Sequence, residues 1–255
     1  MKKKLLVCAL FLLAATPAVA QINFAWRNCL PVRSDPIGST INQNSACDAH
    51  RSTYPGTYTA VVSFIAPPNI TSFVGATAEV EVITVSPVLP DYWRHGAGEC
   101  RETSFTAGFT GGLGTGTTGA CQDPYDGSPT TRSWYWTSGI PTVDRATCSV
   151  QLTRETGRPL IAGQEYLANA VVFDTDRDDS YNPGDDNCAG CVVPACLVVK
   201  QLEIRQESPL PSVVLIGPQY RKFILWNGGA PAESCAGQIL PVRNQTWGAI
   251  KAIYR

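Results

Sequence analysis

The densest group of side chains that could bind metal or form cross-links lies between Asp174 and Cys196. Residues 174–187 carry six aspartates and one arginine, and residues 188–196 carry three cysteines. Carboxylates suit hard cations such as calcium, whereas thiols form disulfides or bind zinc. Apolar runs precede and follow the group, so the sequence predicts a long loop between two strands. We expect disulfide bonds to clamp this loop and, in one interpretation, a cation as well.

The spacing of the acidic residues fits a calcium loop. The predicted ligands are Asp174, Asp176, Asp178, Asn182 and Asp185, at positions 1, 3, 5, 9 and 12 of a twelve-residue segment. Calcium takes roughly six to eight oxygens, which alternate residues of a tight loop can direct inward. The segment resembles the calcium loops of dockerins and thrombospondin type 3 repeats, but Asp179 stands where those loops need glycine, and no helix follows. The alternative is a solvated turn whose Asp and Asn side chains bond to their own backbone. A bound calcium would order the loop and take no part in catalysis.

The cysteine content predicts a disulfide-bonded protein. The chain has ten cysteines, and one of them, Cys8, lies in a predicted export signal, so nine remain. Nine is odd, which leaves one thiol without a partner in the chain. The candidates for disulfide bonds are Cys29, Cys47, Cys100, Cys121, Cys188, Cys191, Cys196 and Cys235.

Short loops favour two particular pairs, Cys29–Cys47 and Cys100–Cys121. Cys235 is then expected to bond one member of the group 188, 191 and 196, and the other two to bond each other. Cys148 remains as the unpaired thiol. The rival interpretation is a four-cysteine zinc site built on the C-x-x-C spacing at 188–191.

Two aromatic pairs are candidates for ligand binding. In the strand predicted at Ser133–Thr137, Trp134 and Trp136 project to one side and Tyr135 to the other. Two exposed, parallel tryptophans would form a platform for sugar rings, and Tyr92 and Trp93 are the second such pair. The competing interpretation for Trp134 and Trp136 places their rings in the core, as is usual for large aromatics.

Signatures of catalysis are weak in this sequence. It contains no Gly-x-Ser-x-Gly, no His-Glu-x-x-His and no phosphate-binding loop, because the glycine-rich segment 108–119 lacks the Lys-Ser/Thr and the helix that such a loop needs. There are two histidines, and His50, beside Asp48 and Arg51, is expected to form a surface hydrogen bond. Carboxylate pairs for glycoside hydrolysis cannot be judged from sequence spacing. We therefore predict that the protein is not an enzyme.

Short segments rich in β-branched and aromatic residues predict an all-β fold. In the clearest one, Ala76–Val85, Ala78, Val80 and Val82 alternate with polar residues, which indicates one face in the core and one in water. Further strands are expected at Phe24–Trp26, Thr57–Ile65, Thr103–Phe109, Ser133–Thr137, Ala146–Leu152, Tyr166–Phe173, Cys196–Arg205, Val213–Ile216 and Lys222–Trp226. Many short strands without helices predict one antiparallel β-sandwich over residues 21–240, jelly-roll or immunoglobulin-like.

The two ends of the chain differ from this domain. Residues 1–20 combine three lysines, an apolar run of about 11 residues and a small-x-small cleavage pattern, which predicts an export signal. Such a run is too short to span a bilayer, and no transmembrane segment is expected after the signal. In the segment 241–255, Trp247, Ile250 and Tyr254 would share a face of a short helix or tail for sorting or docking. The formal net charge of −1 gives no reason to expect a nucleic-acid partner.

Four segments carry a resemblance to exported proteins of environmental bacteria. They are Trp93-Arg94 before Cys100, the run Cys188-Ala-Gly-Cys-Val-Val-Pro-Ala-Cys-Leu-Val, Trp226-Asn-Gly-Gly, and the ending Thr246-Trp-Gly-Ala-Ile-Lys-Ala-Ile-Tyr-Arg255. The ending is similar to a tail shared by otherwise different exported proteins, which implies sorting or assembly. The resemblance implies no particular activity.

Together these features predict an exported, non-catalytic binding or structural module that is secreted, periplasmic or at the cell surface. Its partner would be a glycan or a surface protein. The alternatives are a glycan-active hydrolase and an assembly or adhesion subunit. An exposed flat strip of tryptophans would favour the glycan, and an open strand edge would favour assembly.

Overall fold

The computed structural model of the chain describes residues 22–26, 44–47, 57–108, 121–127, 129–174, 188–215 and 223–228. These residues form eleven strands and one short 3-10 turn at Asp91–Trp93. The strands are β1 Ile22–Trp26, β2 Asn44–Ser45, β3 Thr57–Ile65, β4 Phe73–Thr84, β5 Phe105–Gly108, β6 Thr131–Ser138, β7 Arg145–Arg158, β8 Glu165–Asp174, β9 Ala195–Gln206, β10 Val213–Leu215 and β11 Phe223–Trp226. The predicted signal at 1–20 and the predicted tail at 241–255 lie outside the described residues.

Two sheets pack face to face, which confirms the predicted antiparallel sandwich. The smaller sheet has the strand order β1-β3-β8-β5. The larger has the order β2-β11-β9-β4-β7-β6, with β10 added beside β9. Every pair is antiparallel except β2 with β11. Within the described ranges, no helix is long and apolar enough to cross a membrane.

The alternation in β4 has the predicted consequence. Ala76, Ala78, Val80 and Val82 are buried between the sheets, and polar side chains alternate with them along the opposite face of the larger sheet. Burial of apolar surface contributes about 25 cal/mol for each Å² removed from water, so this pattern fixes which face of the strand lies inside. The prediction for this segment is confirmed.

A cluster of aromatic rings surrounds Trp226 of β11 in the core. Its ring centroid lies 5.8 Å from that of Trp26 and 4.6 Å from that of Tyr58, and its indole nitrogen donates a hydrogen bond of 2.6 Å to the carbonyl of Cys191. A buried indole N–H that finds an acceptor avoids the cost of desolvation without a partner. Trp226 thus joins β1, β3 and the loop before β9.

Two disulfides close long stretches of chain. Cys47 bonds Cys191 across a sequence separation of 144, and Cys100 bonds Cys188 across a separation of 88. The predicted pairs Cys29–Cys47 and Cys100–Cys121 are therefore wrong. They rested on the low entropy cost of short loops, whereas the packed sheets bring together residues far apart in the sequence.

The outcomes for the other cysteines also differ from prediction in part. Because Cys188 and Cys191 bond different partners, they form neither a bond to each other nor a zinc site, and both of those interpretations are wrong. Cys121 and Cys196 are also disulfide-bonded, while Cys29 and Cys235 lie outside the described residues. Cys148 is a free, buried thiol, as predicted. Burial raises the pKa of this thiol well above its ordinary value.

Candidate functional site

The strand β6 ends the larger sheet on one side. It pairs with β7 in a register that runs from Thr131 opposite Thr153 to Ser138 opposite Ala146. Among the described strands none pairs with its other side. An unpaired edge presents N–H and C=O groups that a further strand can use, so among the described strands β6 is an open edge of the sandwich.

The backbone groups at this edge follow from the alternation of an antiparallel ladder. The N–H of Gly139, just past β6, donates to the carbonyl of Arg145 over 2.7 Å. Successive residues point their groups to opposite sides, so the odd-numbered residues of β6 bond β7. The groups of Arg132, Trp134, Trp136 and Ser138 therefore face outward. The described part of the chain supplies them with no hydrogen bond on that side.

The aromatic side chains of β6 do not form a flat exposed platform. Trp134 and Trp136 share the core face, as predicted, but Trp134 is 40% exposed and Trp136 is 8% exposed. The two rings pack edge-on against Phe105 of β5, at centroid distances of 5.0 and 4.9 Å. Tyr135 is 59% exposed and projects to the opposite face. The predicted pair is thus split, because Trp136 also packs against His95 and Phe173.

The second predicted pair, Tyr92 and Trp93, is completely buried, so its prediction as an exposed strip is wrong. The 3-10 turn inserts both rings between the sheets. Their centroids lie 5.6 and 5.5 Å from that of Trp226. These residues fill the core beside Trp226 of β11.

A shallow pocket of about 290 Å³ lies beside the C-terminal end of β6. Its lining residues are Val88, Arg94, Glu99, Ser138, Gly139 and Val143. Trp136 Nε1 donates to Ser138 Oγ over 3.1 Å, and that hydroxyl donates to Glu99 Oε2 over 2.6 Å. The N–H of Gly96 donates to the same oxygen over 2.6 Å. Glu99 is therefore held in place by two donors through one oxygen, while its Oε1 makes no hydrogen bond to the described residues.

The lining of the pocket also carries a positive charge, on Arg94. Arg94 Nε donates to the carbonyl of Leu89 over 3.2 Å and lies 3.6 Å from the carboxylate of Asp91. Exposed apolar side chains, Val88 and Val143, lie among the lining residues. The pocket thus combines a carboxylate, a guanidinium and apolar walls.

A buried histidine lies behind this surface. His95 is 2% exposed, and its Nδ1 lies 3.0 Å from the carbonyl of Arg101. Burial, assisted by the charge of Arg101, lowers the pKa of His95 to about 3. The imidazole is therefore neutral at ordinary pH, and rings of Phe105, Trp136 and Phe173 surround it. An enclosed histidine of this kind cannot reach a substrate.

Of the acidic segment 174–187, the structure describes the first residue. Asp174 ends β8, its N–H donates to the carbonyl of Ser104 over 2.9 Å, and its own carbonyl accepts a hydrogen bond from Arg101 Nη2. The other predicted ligands, Asp176, Asp178, Asn182 and Asp185, lie outside the described residues. Within the described ranges, no group of three or more His, Cys, Asp or Glu side chains could hold a metal ion. The calcium loop stays a prediction.

Sequence reasoning missed Arg132, Glu99 and Ser138 as site residues. Glu99 and Ser138 are 39 positions apart, and no motif links them. The exposure of the strand appears only in the structure, where Thr131–Tyr135 are all exposed although strand alternation predicts that every second residue is buried. Such a pattern is typical of an edge strand. No protein-family model matches the chain, and no relative is found among curated proteins.

Proposed function

We propose that this chain is an exported, non-catalytic structural or binding module that assembles with another protein by strand addition to β6. The open edge carries this proposal. It offers outward backbone groups at Arg132, Trp134, Trp136 and Ser138 over an eight-residue strand. Main-chain hydrogen bonds give affinity in this mode of recognition, and side-chain pockets give specificity.

Two observations support an exported module without catalysis. Disulfides such as Cys47–Cys191 and Cys100–Cys188 are typical of oxidising compartments, in agreement with the export signal predicted at 1–20. His95, the histidine among the described residues, is enclosed in the core and neutral. A general base needs to lie within hydrogen-bonding reach of its substrate.

A protein partner fits the aromatic geometry better than a glycan. Stacking on a sugar needs flat rings exposed on one face, whereas the two well-exposed aromatics, Trp134 and Tyr135, lie on opposite faces of β6. A glycan is the second candidate because the partly exposed Trp134 ring lies beside the exposed Arg132. Binding of calcium at 174–185 is a separate proposal about stability. If an ion binds there, a chelator lowers the melting temperature, and an unchanged melting temperature contradicts it.

Site-specific photo-crosslinking in the producing cells tests the proposed assembly. A photoreactive phenylalanine derivative replaces Tyr135, and a matched derivative replaces Val214, which is similarly exposed but lies on β10, beyond β9 in the same sheet. We expect a discrete, protease-sensitive cross-linked product from position 135 and none from position 214. A product that resists protease and yields to glycan-degrading enzymes favours the glycan. Absence of any product from position 135 contradicts both.

A further inference from the structure

We propose that the protein which pairs with β6 is a second copy of this chain. The two β6 strands run antiparallel about a two-fold axis at Tyr135, with Trp134 opposite Trp136 and Arg132 opposite Ser138. This inference rests on the proposed function and names its partner. The larger sheets of the two copies would then continue into each other.

The backbone of β6 permits this register. Direct hydrogen-bonded pairs require that both residues point their N–H and C=O groups outward. The outward residues all have even numbers, so every pair in the proposed register joins two even-numbered residues whose numbers sum to 270. A shift of one residue would place inward-pointing groups opposite outward-pointing ones and break the ladder.

The charges at the two ends of β6 select this register. The side chain of Arg132 is exposed, and it makes no ion pair or hydrogen bond with the rest of the described chain. At the other end of the strand, Ser138 bonds Glu99 Oε2, which leaves Glu99 Oε1 available at the pocket. Paired Cα atoms in such a ladder are about 5.5 Å apart, within reach of an arginine side chain. The two-fold axis therefore brings each Arg132 to the Glu99 of the other copy, twice in one dimer.

The two copies of Arg132 are kept apart in the same arrangement, and Asp91 offsets the charge of Arg94 at the pocket. The two Arg132 residues lie six positions apart along the paired strands, about 20 Å at the rise of a β-strand. In a parallel pairing they would be neighbours, with unfavourable repulsion. Sliding the antiparallel register by two residues places Arg132 opposite Trp136 and removes the contact with Glu99. On the outer face, Tyr135 lies opposite Tyr135 of the other copy, and Ser133 lies opposite Thr137 of the other copy.

Engineered cysteines on the outer face test the register in the purified chain. The two Tyr135 residues would occupy a close, non-hydrogen-bonded pair with Cα atoms about 4.5 Å apart, within disulfide range. Tyr135→Cys is therefore expected to give a covalent dimer under mild oxidation. Ser133→Cys and Thr137→Cys are matched controls, because each lies about 13 Å from its own copy, beyond disulfide range. A mixture of these two controls is expected to cross-link, since residue 133 faces residue 137 of the other copy. Cys148 is buried and does not compete.

Charge reversal supplies the second test, with dimer content measured by light scattering during gel filtration over a range of concentrations. Arg132→Glu and Glu99→Arg are each expected to weaken the dimer by roughly tenfold or more, and the double variant to recover much of the loss. A wild-type chain that stays monomeric, or a Tyr135→Cys chain that cross-links no better than Ser133→Cys, overturns the inference. If position 135 still captures a different protein in cells, the proposed function stands without it. If the purified chain stays monomeric and position 135 also gives no cross-linked product in cells, the proposed function fails as well.

Discussion

The guanidinium carbon of Arg101 lies 4.0 Å from the centroid of the Tyr92 ring, and both side chains are completely buried. The guanidinium donates to the carbonyls of Tyr92 and Asp174, and it forms no ion pair with any carboxylate of the described residues. Burying a cation costs free energy of folding unless other groups replace the water that solvated it. Here the face of an aromatic ring and two carbonyl oxygens do so. Arg101 thus ties the 3-10 turn to the end of β8, where the acidic segment 174–187 begins.

Removing this cation should destabilise the fold. Arg101→Ala leaves two carbonyls without their donor and opens a cavity, so we expect a loss of about 3 kcal/mol in the free energy of unfolding. Arg101→Lys should also be unstable, because an ammonium cannot reproduce the planar stacking and the fork of donors. Urea denaturation gives the value. Gln201→Ala is the control at an exposed site outside the proposed interface and should change stability by less than about 0.5 kcal/mol.

Acid should weaken the fold through His95. Above pH 6.5 the imidazole is neutral in both the folded and the unfolded chain. Below that value the unfolded chain gains a proton that the folded chain does not accept until the pH approaches 3. Stability therefore falls between pH 6.5 and 3, by roughly 4 to 5 kcal/mol from this group alone.

Urea midpoints measured from pH 7.5 to 4 check this pH dependence. His95→Gln should flatten the curve, because glutamine keeps a hydrogen-bond donor but does not titrate. His50→Gln, at the histidine expected on the surface, should leave the slope as in the wild type. Equal slopes for wild type and His95→Gln would show that His95 does not carry the effect.

Loss of the Cys47–Cys191 disulfide should lower the free energy of unfolding more than loss of the unpaired Cys148. Replacing Cys47 and Cys191 by alanine frees a loop of 144 residues in the unfolded chain. The chain-entropy relation gives a destabilisation of about 5 kcal/mol for such a loop, as an upper value. Cys148→Ala removes a buried thiol and no bond, so we expect about 1 kcal/mol. Guanidinium denaturation of both variants provides the comparison, and equal losses would contradict it.

The two tryptophans of β6 should respond differently to truncation. Trp136 is enclosed by Phe105, His95 and Phe173, so Trp136→Ala is expected to cost about 3 to 5 kcal/mol in stability. Trp134 is partly exposed, and Trp134→Ala should cost about 1 kcal/mol. Thermal unfolding of both variants tests the difference. A larger loss for Trp134 would contradict the burial of Trp136.

The sequence was sufficient for the features that depend on local pattern. Period-two alternation identified the buried face of β4, because side chains of a strand alternate between core and water whatever the topology. The β-branched segments also located β3, β8 and β9. The two-residue strand β2 was not predicted, because its pairing with β11 depends on a neighbour far away in the chain.

Features set by tertiary neighbours could not be read in the same way. Nothing in the residues themselves shows that β6 ends a sheet, or that His95 and Phe173 cover Trp136. Tyr92 and Trp93 are adjacent aromatic residues, which suits an exposed strip and a buried core equally well. Their burial follows from the turn that carries them between the sheets. The disulfide pairs depend on the same long-range packing.

The free thiol of Cys148 is a built-in reporter of how the larger sheet opens. Its backbone lies between Val80 of β4 and Trp136 of β6, and its side chain points into the interior. A thiol-specific dye can react only when these strands separate, so the labelling rate measures the frequency of that excursion. The seclusion of this sulfur also protects the native cross-links, because thiol–disulfide exchange needs an accessible thiolate.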